Sequence, residues 1–462
     1  MIDELRAIVG TDGVDDAVED YLTDVTEQPE GRADVVVRAR TADEVEAVML
    51  FAAERGVAVT PIVAGYNVAG IAIPRNGGIV LDLTRMNRIV DLDRDAMYVV
   101  VEPGVTFGQL KEHLEREAPE LVYTYPFAPP FTSVMANALL DGLNNLSLRH
   151  GAMGNWINGL EAVLPDGTVV RTGSGAVVAS WYGRAPLPDL TGLFVSTQGT
   201  TGVVTKVALQ LQPRPPFRAR WFAFAYELTA AYRAMDALAR TGSFDDVGLM
   251  TWPAAKMLFG ATRGLVRADD EPLAFLFIDI TGASAAELDA RLELAREQLH
   301  GAGVESIFPV ESLVEVVPQY AKLAELPTTL DFLLDFPGGG LTWIGSYGPS
   351  AQWLAGAEKG LALLEEHGFP PFLVARPMQG GHFFVLRYVA CFDKGDVDEV
   401  ARVRTVMGLL ADLVLDHDYV PYKASADAAR RILARAHPGF VDLLGRVRGL
   451  LDPDGRMNPG RW

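Results

Sequence analysis

Two rhythms of apolar residues divide the chain near residue 215. Ahead of it, short apolar runs alternate with glycine-containing loops. Beyond it, strand-length and helix-length runs alternate with few such loops. Thr41-Ala-Asp-Glu44 reads as a capping box, Val45, Val48, Met49 and Ala52 recur at helical spacing, and Gly56 suits a C-cap. A short strand is expected over 56–59 and another over 79–83, with the loop Thr60-Pro-Ile-Val-Ala-Gly-Tyr-Asn-Val-Ala-Gly70 between them. A second unit runs from Tyr98-Val-Val-Val101 into a helix opened by Thr106, with Gln109 three residues on. Residues 123–133 read as loop. The stretch 135–156 has no clean period, as expected of chain that wraps something. A hairpin over 160–171 turns at Pro165-Asp166-Gly167, and a strand to Leu211 ends at Pro213-Arg-Pro-Pro216, a natural boundary.

The second rhythm predicts strand, helix and strand at 221–226, 230–240 and 247–252, and again at 273–280, 285–299 and 304–308. A third set falls at 342–347, 351–367 and 372–375, followed by a long strand over 383–392. Repeats of this kind without Gly-rich crossovers predict an antiparallel sheet with helices on one face.

Composition narrows the function classes. The chain has 462 residues, 49% hydrophobic and 22% charged, enough to bury a sizeable core. A net charge of -20 argues against a nucleic-acid or anionic-membrane surface. The one cysteine, Cys391, leaves no disulfide framework or iron–sulfur ligand set, and the seven histidines never fall at metal-ligand spacing. Electrons handled by this chain therefore leave through an organic cofactor or a partner. The N-terminus lacks signal-peptide features, and no apolar run has membrane-spanning length, so a cytoplasmic protein is expected.

The loop 60–70 carries the first chemistry. Gly65, Asn67 and Gly70 tolerate left-handed backbone, and a loop of this composition turns N–H groups toward one point, as an anionic diphosphate requires. A plain turn is the alternative reading. Thr172-Gly-Ser-Gly-Ala-Val-Val178 lacks the third glycine of a dinucleotide fingerprint and follows a hairpin rather than a first strand. Walker, Gly-x-Ser-x-Gly and His-Glu-x-x-His motifs are all missing from the sequence.

Taken together, 63–70, Ile79-Val-Leu-Asp-Leu-Thr-Arg-Met-Asn87, Val101-Glu-Pro-Gly-Val-Thr106, Glu161-Ala-Val-Leu-Pro-Asp-Gly167, Gly199-Thr-Thr-Gly-Val-Val-Thr-Lys206 and Asp452-Pro-Asp-Gly-Arg-Met-Asn-Pro-Gly460 resemble the FAD domain of the vanillyl-alcohol oxidase/p-cresol methylhydroxylase (PCMH) superfamily. The resemblance implies an α+β fold: a PCMH-type FAD-binding domain of two α/β subdomains (1–215), an antiparallel-sheet cap or substrate domain (216–418), and a C-terminal segment (419–462) that returns to the FAD domain. It implies that Ala64, Gly65, Tyr66, Asn67, Val68, Ala69 and Gly70 bind the FAD pyrophosphate through backbone N–H groups. Thr132, Ser133, Ala136 and Asn137 match a second flavin-contacting loop, and His150-Gly151 stands where the family has Tyr-Gly beside the flavin. Gly202, Val203 and Val204 would present backbone groups to the cofactor, and Asn458 falls in the returning tail.

The implied activity is an FAD-dependent oxidoreductase that takes hydride from a C–H of a small alcohol-type substrate onto flavin N5, with 4-hydroxybenzyl-type substrates favoured. Tyr422-Lys423 stands where that branch has a Tyr-Arg pair for a phenolate, although lysine lacks arginine's bidentate fork. Ala152 replaces an acid, and Tyr66-Asn67 replaces the histidine that tethers flavin in other members, so non-covalent FAD is expected, with His382 the alternative tether. His150, His382 and Arg376 are further catalytic candidates. Arg376 and Arg387 suit a carboxylate, and Glu366-His-Gly368 is the one echo of the hydroxy-acid branch. A D-2-hydroxy-acid dehydrogenase and a flavin-binding subunit of a redox assembly without its own turnover remain alternatives. Oxidase against dehydrogenase, the external electron acceptor and a homodimer stay open.

Overall fold

A computed structural model describes residues 1–324, 333 and 335–462. A four-stranded sheet takes its strands in the order Val14–Asp15, Val35–Arg38, Ile79–Asp82 and Val59–Ile62, the last three running parallel. Their central strand is wholly buried, as a parallel strand covered on both faces must be. The helix Ala42–Arg55 crosses between Val35–Arg38 and Val59–Ile62, and the Thr41 hydroxyl accepts from Glu44 N–H to cap it. Gly56 ends this helix with left-handed backbone, and Val57 N–H still donates to Ala52. That cap consumes residues 56–57, so the strand expected over 56–59 begins instead at Val59.

A second, five-stranded sheet is antiparallel, in the order Ile89–Asp93, Tyr98–Val101, Val203–Gln210, Ile157–Val163 and Val169–Arg171. The hairpin at 165–167 and the reciprocal box of Thr106 and Gln109 opening Phe107–Glu117 both form as the sequence predicts. The aperiodic stretch 135–156 resolves into short pieces, Val134–Leu139, Ser147–His150 and Met153–Trp156.

Residues 217–422 build an eight-stranded antiparallel sheet. Its order is Ser306–Pro309, Phe217–Ala225, Ala274–Gly282, Asp246–Thr251, Leu373–Met378, Phe383–Asp393, Gly339–Gly348 and Val420–Tyr422. The helices Leu228–Arg240, Ala285–Gly301, Trp353–Glu366 and Val397–Asp416 share one apolar core with one sheet face, through Leu276, Ile278, Leu386 and Tyr388 among others. The other face is turned toward the FAD-binding half. The last strand, three residues long and containing Pro421, lies beyond residue 418 and carries no period of its own. Among the described residues, no helix is long and apolar enough to cross a membrane, and no cluster of His, Cys, Asp and Glu suits a metal.

Within the sheet, Arg220 is buried against Asp279, its Nε donating to Oδ1 at 2.7 Å, and Arg218 adds a second cation at 3.0 Å. Those guanidiniums hold the Asp279 carboxyl down at about 2 despite burial, which by itself pushes it up. Because this pKa lies below the ordinary carboxylate value, the pair's stability is present above pH about 4 and is lost as pH falls through about 2. We expect Arg220→Met to cost about 3–5 kcal/mol in urea unfolding, since it leaves a buried carboxylate without its main partner. A loss below about 1 kcal/mol would show that the pair is dispensable.

Candidate functional site

The free face of the eight-stranded sheet and the loops of the FAD-binding half enclose one cavity. Its lower wall is the turn after Val59–Ile62, from Val63 to Val68, with Thr132, Ser133, Ala136 and Asn137 beside it. Ser133 caps the short helix Val134–Leu139 by accepting from Ala136 N–H. The next wall is drawn from 197–204, where Gln198 and Gly199 both have left-handed backbone. Asn458, in the tail, closes this side. Its N–H donates to Val59 O and its Nδ2 donates to Gln198 O at 2.7 Å, while Met457 pairs with Val59.

These residues suit a large polar cofactor. Ala64 and Gly65 are both left-handed, and a side chain added at Gly65 would meet nothing within 4 Å, so bare main chain faces the cavity. Two N–H groups of this loop are already committed, Gly65 to Val63 O and Ala69 to the Asn67 side chain, which also accepts from Ile71. Asn67 thus shapes the turn, while the N–H groups of Tyr66 and Val68 have no partner among the described residues. Gln198 Oε1 and Asn458 Oδ1 are buried acceptors without a donor among the described residues, which suits contact with a polar ligand.

Opposite these loops stands a row across three strands of the sheet. Arg387 pairs with Gly345, and Gly345 pairs with Tyr422. With no side chain at Gly345, the two flanking side chains meet over it; a Cβ there would lie 2.6 Å from the Tyr422 ring. Arg387 Nη2 donates to the Tyr422 hydroxyl, and its guanidinium lies 4.7 Å from the Trp343 ring centroid. Tyr422 stacks on Tyr347 at 4.5 Å, and Tyr347 donates to Asp141 O, tying the row to the FAD-binding half. Lys423, next along the chain, has left-handed backbone, and its Nζ donates to Asn137 Oδ1 at 2.6 Å. Burial, with Arg387 adding repulsion, pushes the Lys423 amine down to about 7, and Asp141 pulls the other way. Neither Arg387 nor Lys423 has a carboxylate within ion-pair distance among the described residues, and both line the cavity. The remaining wall is apolar: Phe127, Met250, Phe372, Val374 and Val389.

Arg376 also lines the cavity, but its charge is met. It donates to Asp246 Oδ2 at 2.9 Å and to Asn144 O at 2.8 Å, and it lies between the Phe127 and Phe277 rings. Asn144 in turn donates to Gly151 O, so Arg376 fastens the 144–151 segment to the sheet. Burial pushes the Asp246 carboxyl up to about 7, only partly offset by Arg376.

The cavity lining gathers Ala64 through Val68, Thr132, Ser133, Ala136, Asn137, Gly202, Val203, Val204, Asn458, Arg376 and Lys423. It does not include Ala69, Gly70, His150, Gly151, His382 or Tyr422. Tyr422 still reaches the site through Arg387. His150 packs edge-on against Trp156 at 5.3 Å, and Gly151 faces Asn155 and Gln379. His382 is exposed just before Phe383–Asp393. Ala152 sits in an apolar cluster with Met378 and Val385, against which Tyr422 packs, so no acid stands there. Sequence reasoning missed Trp343, Gln198, Asp246 and Gly345. The alternation of the strand at 342–347 places Trp343 and Gly345 on one face, but no signal says which face meets the loops.

A family model described as an FAD binding domain matches residues 33–173. The 4-cresol dehydrogenase (hydroxylating) flavoprotein subunit of Pseudomonas putida is 24% identical, over 100% of this chain and 94% of that protein. A glycolate oxidase subunit of Bacillus subtilis is 31% identical over 48% of this chain, and the match spans only 45% of that relative's length. The crystal structure of p-cresol methylhydroxylase with substrate bound superposes with a TM-score of 0.88 at 19% identity, covering 100% of this chain and 95% of that one. That likeness extends the agreement in fold to the sheet over the cavity as well as to the loops beneath it. With the bare turn at 64–68, the returning tail and the family match in one place, the chain carries an FAD-binding domain over residues 33–173 and shares the fold of p-cresol methylhydroxylase.

Proposed function

We propose that this protein is an FAD-dependent oxidoreductase of a small alcohol-type substrate, an aromatic one bearing an oxyanion. One observation supports this most: Arg387 and Lys423, with no carboxylate within ion-pair distance among the described residues, share an aromatic-walled cavity with the loops that suit FAD. A ligand that combines an apolar ring with a negative oxygen answers both features. Bound FAD supplies the two-electron acceptor. The turn at 64–68 and the 197–204 segment hold the cofactor, and Phe372, Val374 and Val389 exclude water from the substrate ring. Arg387, itself held by the Tyr422 hydroxyl, binds the oxyanion. With Ala152 apolar, the amine of Lys423 is the group that takes the substrate's hydroxyl proton, becoming an ammonium beside Asn137.

The alternative of a D-2-hydroxy acid draws on the glycolate oxidase relative, yet no histidine is among the residues lining the cavity. A second reading, a flavoprotein that passes electrons to a partner subunit, is supported by the printed description of the Pseudomonas relative as a flavoprotein subunit. Dye-linked turnover on benzylic alcohols and on 2-hydroxy acids tests the main proposal; activity confined to the hydroxy acids overturns the aromatic choice.

Among the described residues the cavity lining contains no histidine, so we expect acid precipitation to leave a colourless pellet and a yellow supernatant. A yellow pellet would mean a covalent bond. Since the Lys423 amine of the free protein is neutral only above about 7, kcat/KM should rise with pH through about 7 and level off. Lys423→Arg, which stays protonated, should abolish that limb, and a rate that instead falls above neutrality would make Lys423 an anion anchor rather than a base. Gly345→Val, which drives Arg387 and Tyr422 apart without removing either, should lower kcat/KM about 100-fold while the flavin spectrum is retained. An unchanged kcat/KM would remove the row from the mechanism.

A further inference from the structure

A second cavity, of about 830 Å³, lies behind the wall formed by Trp343 and Lys423, which line both spaces. Its rim is open to solvent, since Arg404, Thr405 and Leu409 on the helix Val397–Asp416 line it and are exposed. Of its cations, Arg430 and Arg431 are paired with Asp427 and Asp412. Arg75 and Arg404 are different. Among the described residues neither has a carboxylate partner, and each donates only to main-chain carbonyls, of Pro29 and Glu27 respectively. The Glu27 carboxyl, also on this cavity, is buried, and burial pushes its pKa up, so it opposes these cations less than an exposed carboxylate would. The chain as a whole carries a net charge of -20, which repels an approaching anion, so a mouth with unpaired cations is where one would enter.

We propose that this second cavity, which Tyr422 also lines, is the entrance for the substrate anion, which passes the Trp343–Lys423 wall to reach Arg387. The proposal rests on the functional reading above, in that the substrate is an aromatic anion. Steering of this kind acts on the rate of arrival rather than on the bound state. Trp343 and Lys423 form the gate because each belongs to both cavities, while Arg75 and Arg404 belong to the outer one alone.

The test is stopped-flow binding of benzoate and of neutral benzyl alcohol to the FAD-loaded protein, followed by perturbation of the flavin absorbance. Arg404→Glu should slow benzoate association about three- to tenfold at low salt, leave its dissociation and the alcohol's association unchanged, and lose its effect as the Debye length shrinks from about 30 Å to about 8 Å. Arg404→Lys should restore the rate. Thr405→Trp, which narrows the rim, should slow both probes. Benzoate rates that are unchanged in Arg404→Glu and in the Arg75→Gln/Arg404→Glu double variant, with normal affinity, overturn the entrance alone. A wild-type protein that binds neither benzoate nor any other aryl anion overturns the functional reading and the entrance with it.

Discussion

Two cations with no carboxylate within ion-pair distance among the described residues set the terms for the rest of this site. A guanidinium and an amine facing a common cavity repel each other, and a wall of aromatic and branched side chains screens neither. The protein tolerates this in three ways. Arg387 spreads its charge over the Trp343 ring and a tyrosine hydroxyl, Lys423 shares its proton with a neutral amide oxygen, and the lysine gives up its charge easily. A negative ligand relieves the repulsion, so anion binding and the protonation of Lys423 are linked: each anion that arrives favours the ammonium form.

The contrast with Arg376 shows what the unpaired state means. Arg376 is more deeply buried, yet its charge is met by Asp246 and its remaining donors serve the main chain of the 144–151 segment. A cation so engaged positions a loop, whereas one without a partner is available to a ligand. Two arginines eleven residues apart on neighbouring strands thus serve different ends, and only their neighbours distinguish them.

The two halves of the site are made by different physics. The loop side is chain geometry: left-handed residues at 64, 65, 198 and 199 shape the turns, and the tail at 457–458 locks onto Val59 to hold those loops together. The sheet side is register: Arg387, Gly345 and Tyr422 come abreast because three strands align there, and a glycine in the middle leaves the gap. Loops can be read locally. A row across strands cannot.

That difference decides how far the amino-acid sequence reaches. Caps at Thr41 and Thr106, the hairpin at 165–167, the turn at 60–70 and the alternation of strands and helices after residue 215 were all legible, because each depends on neighbours a few residues away. The family resemblance named most of the residues that line the cofactor side of the cavity, and it singled out Lys423. The order of the eight strands, the short edge strand at 420–422, the partner that neutralises Arg376 and the placing of His150 and His382 outside the cavity lining were not legible. Each is a contact between segments tens to hundreds of residues apart, and burial, not local pattern, selects it. Residue type made Lys423 a candidate; only its burial, with Arg387 beside it and Asp141 too distant for an ion pair, lowers its proton affinity into the range where it can act.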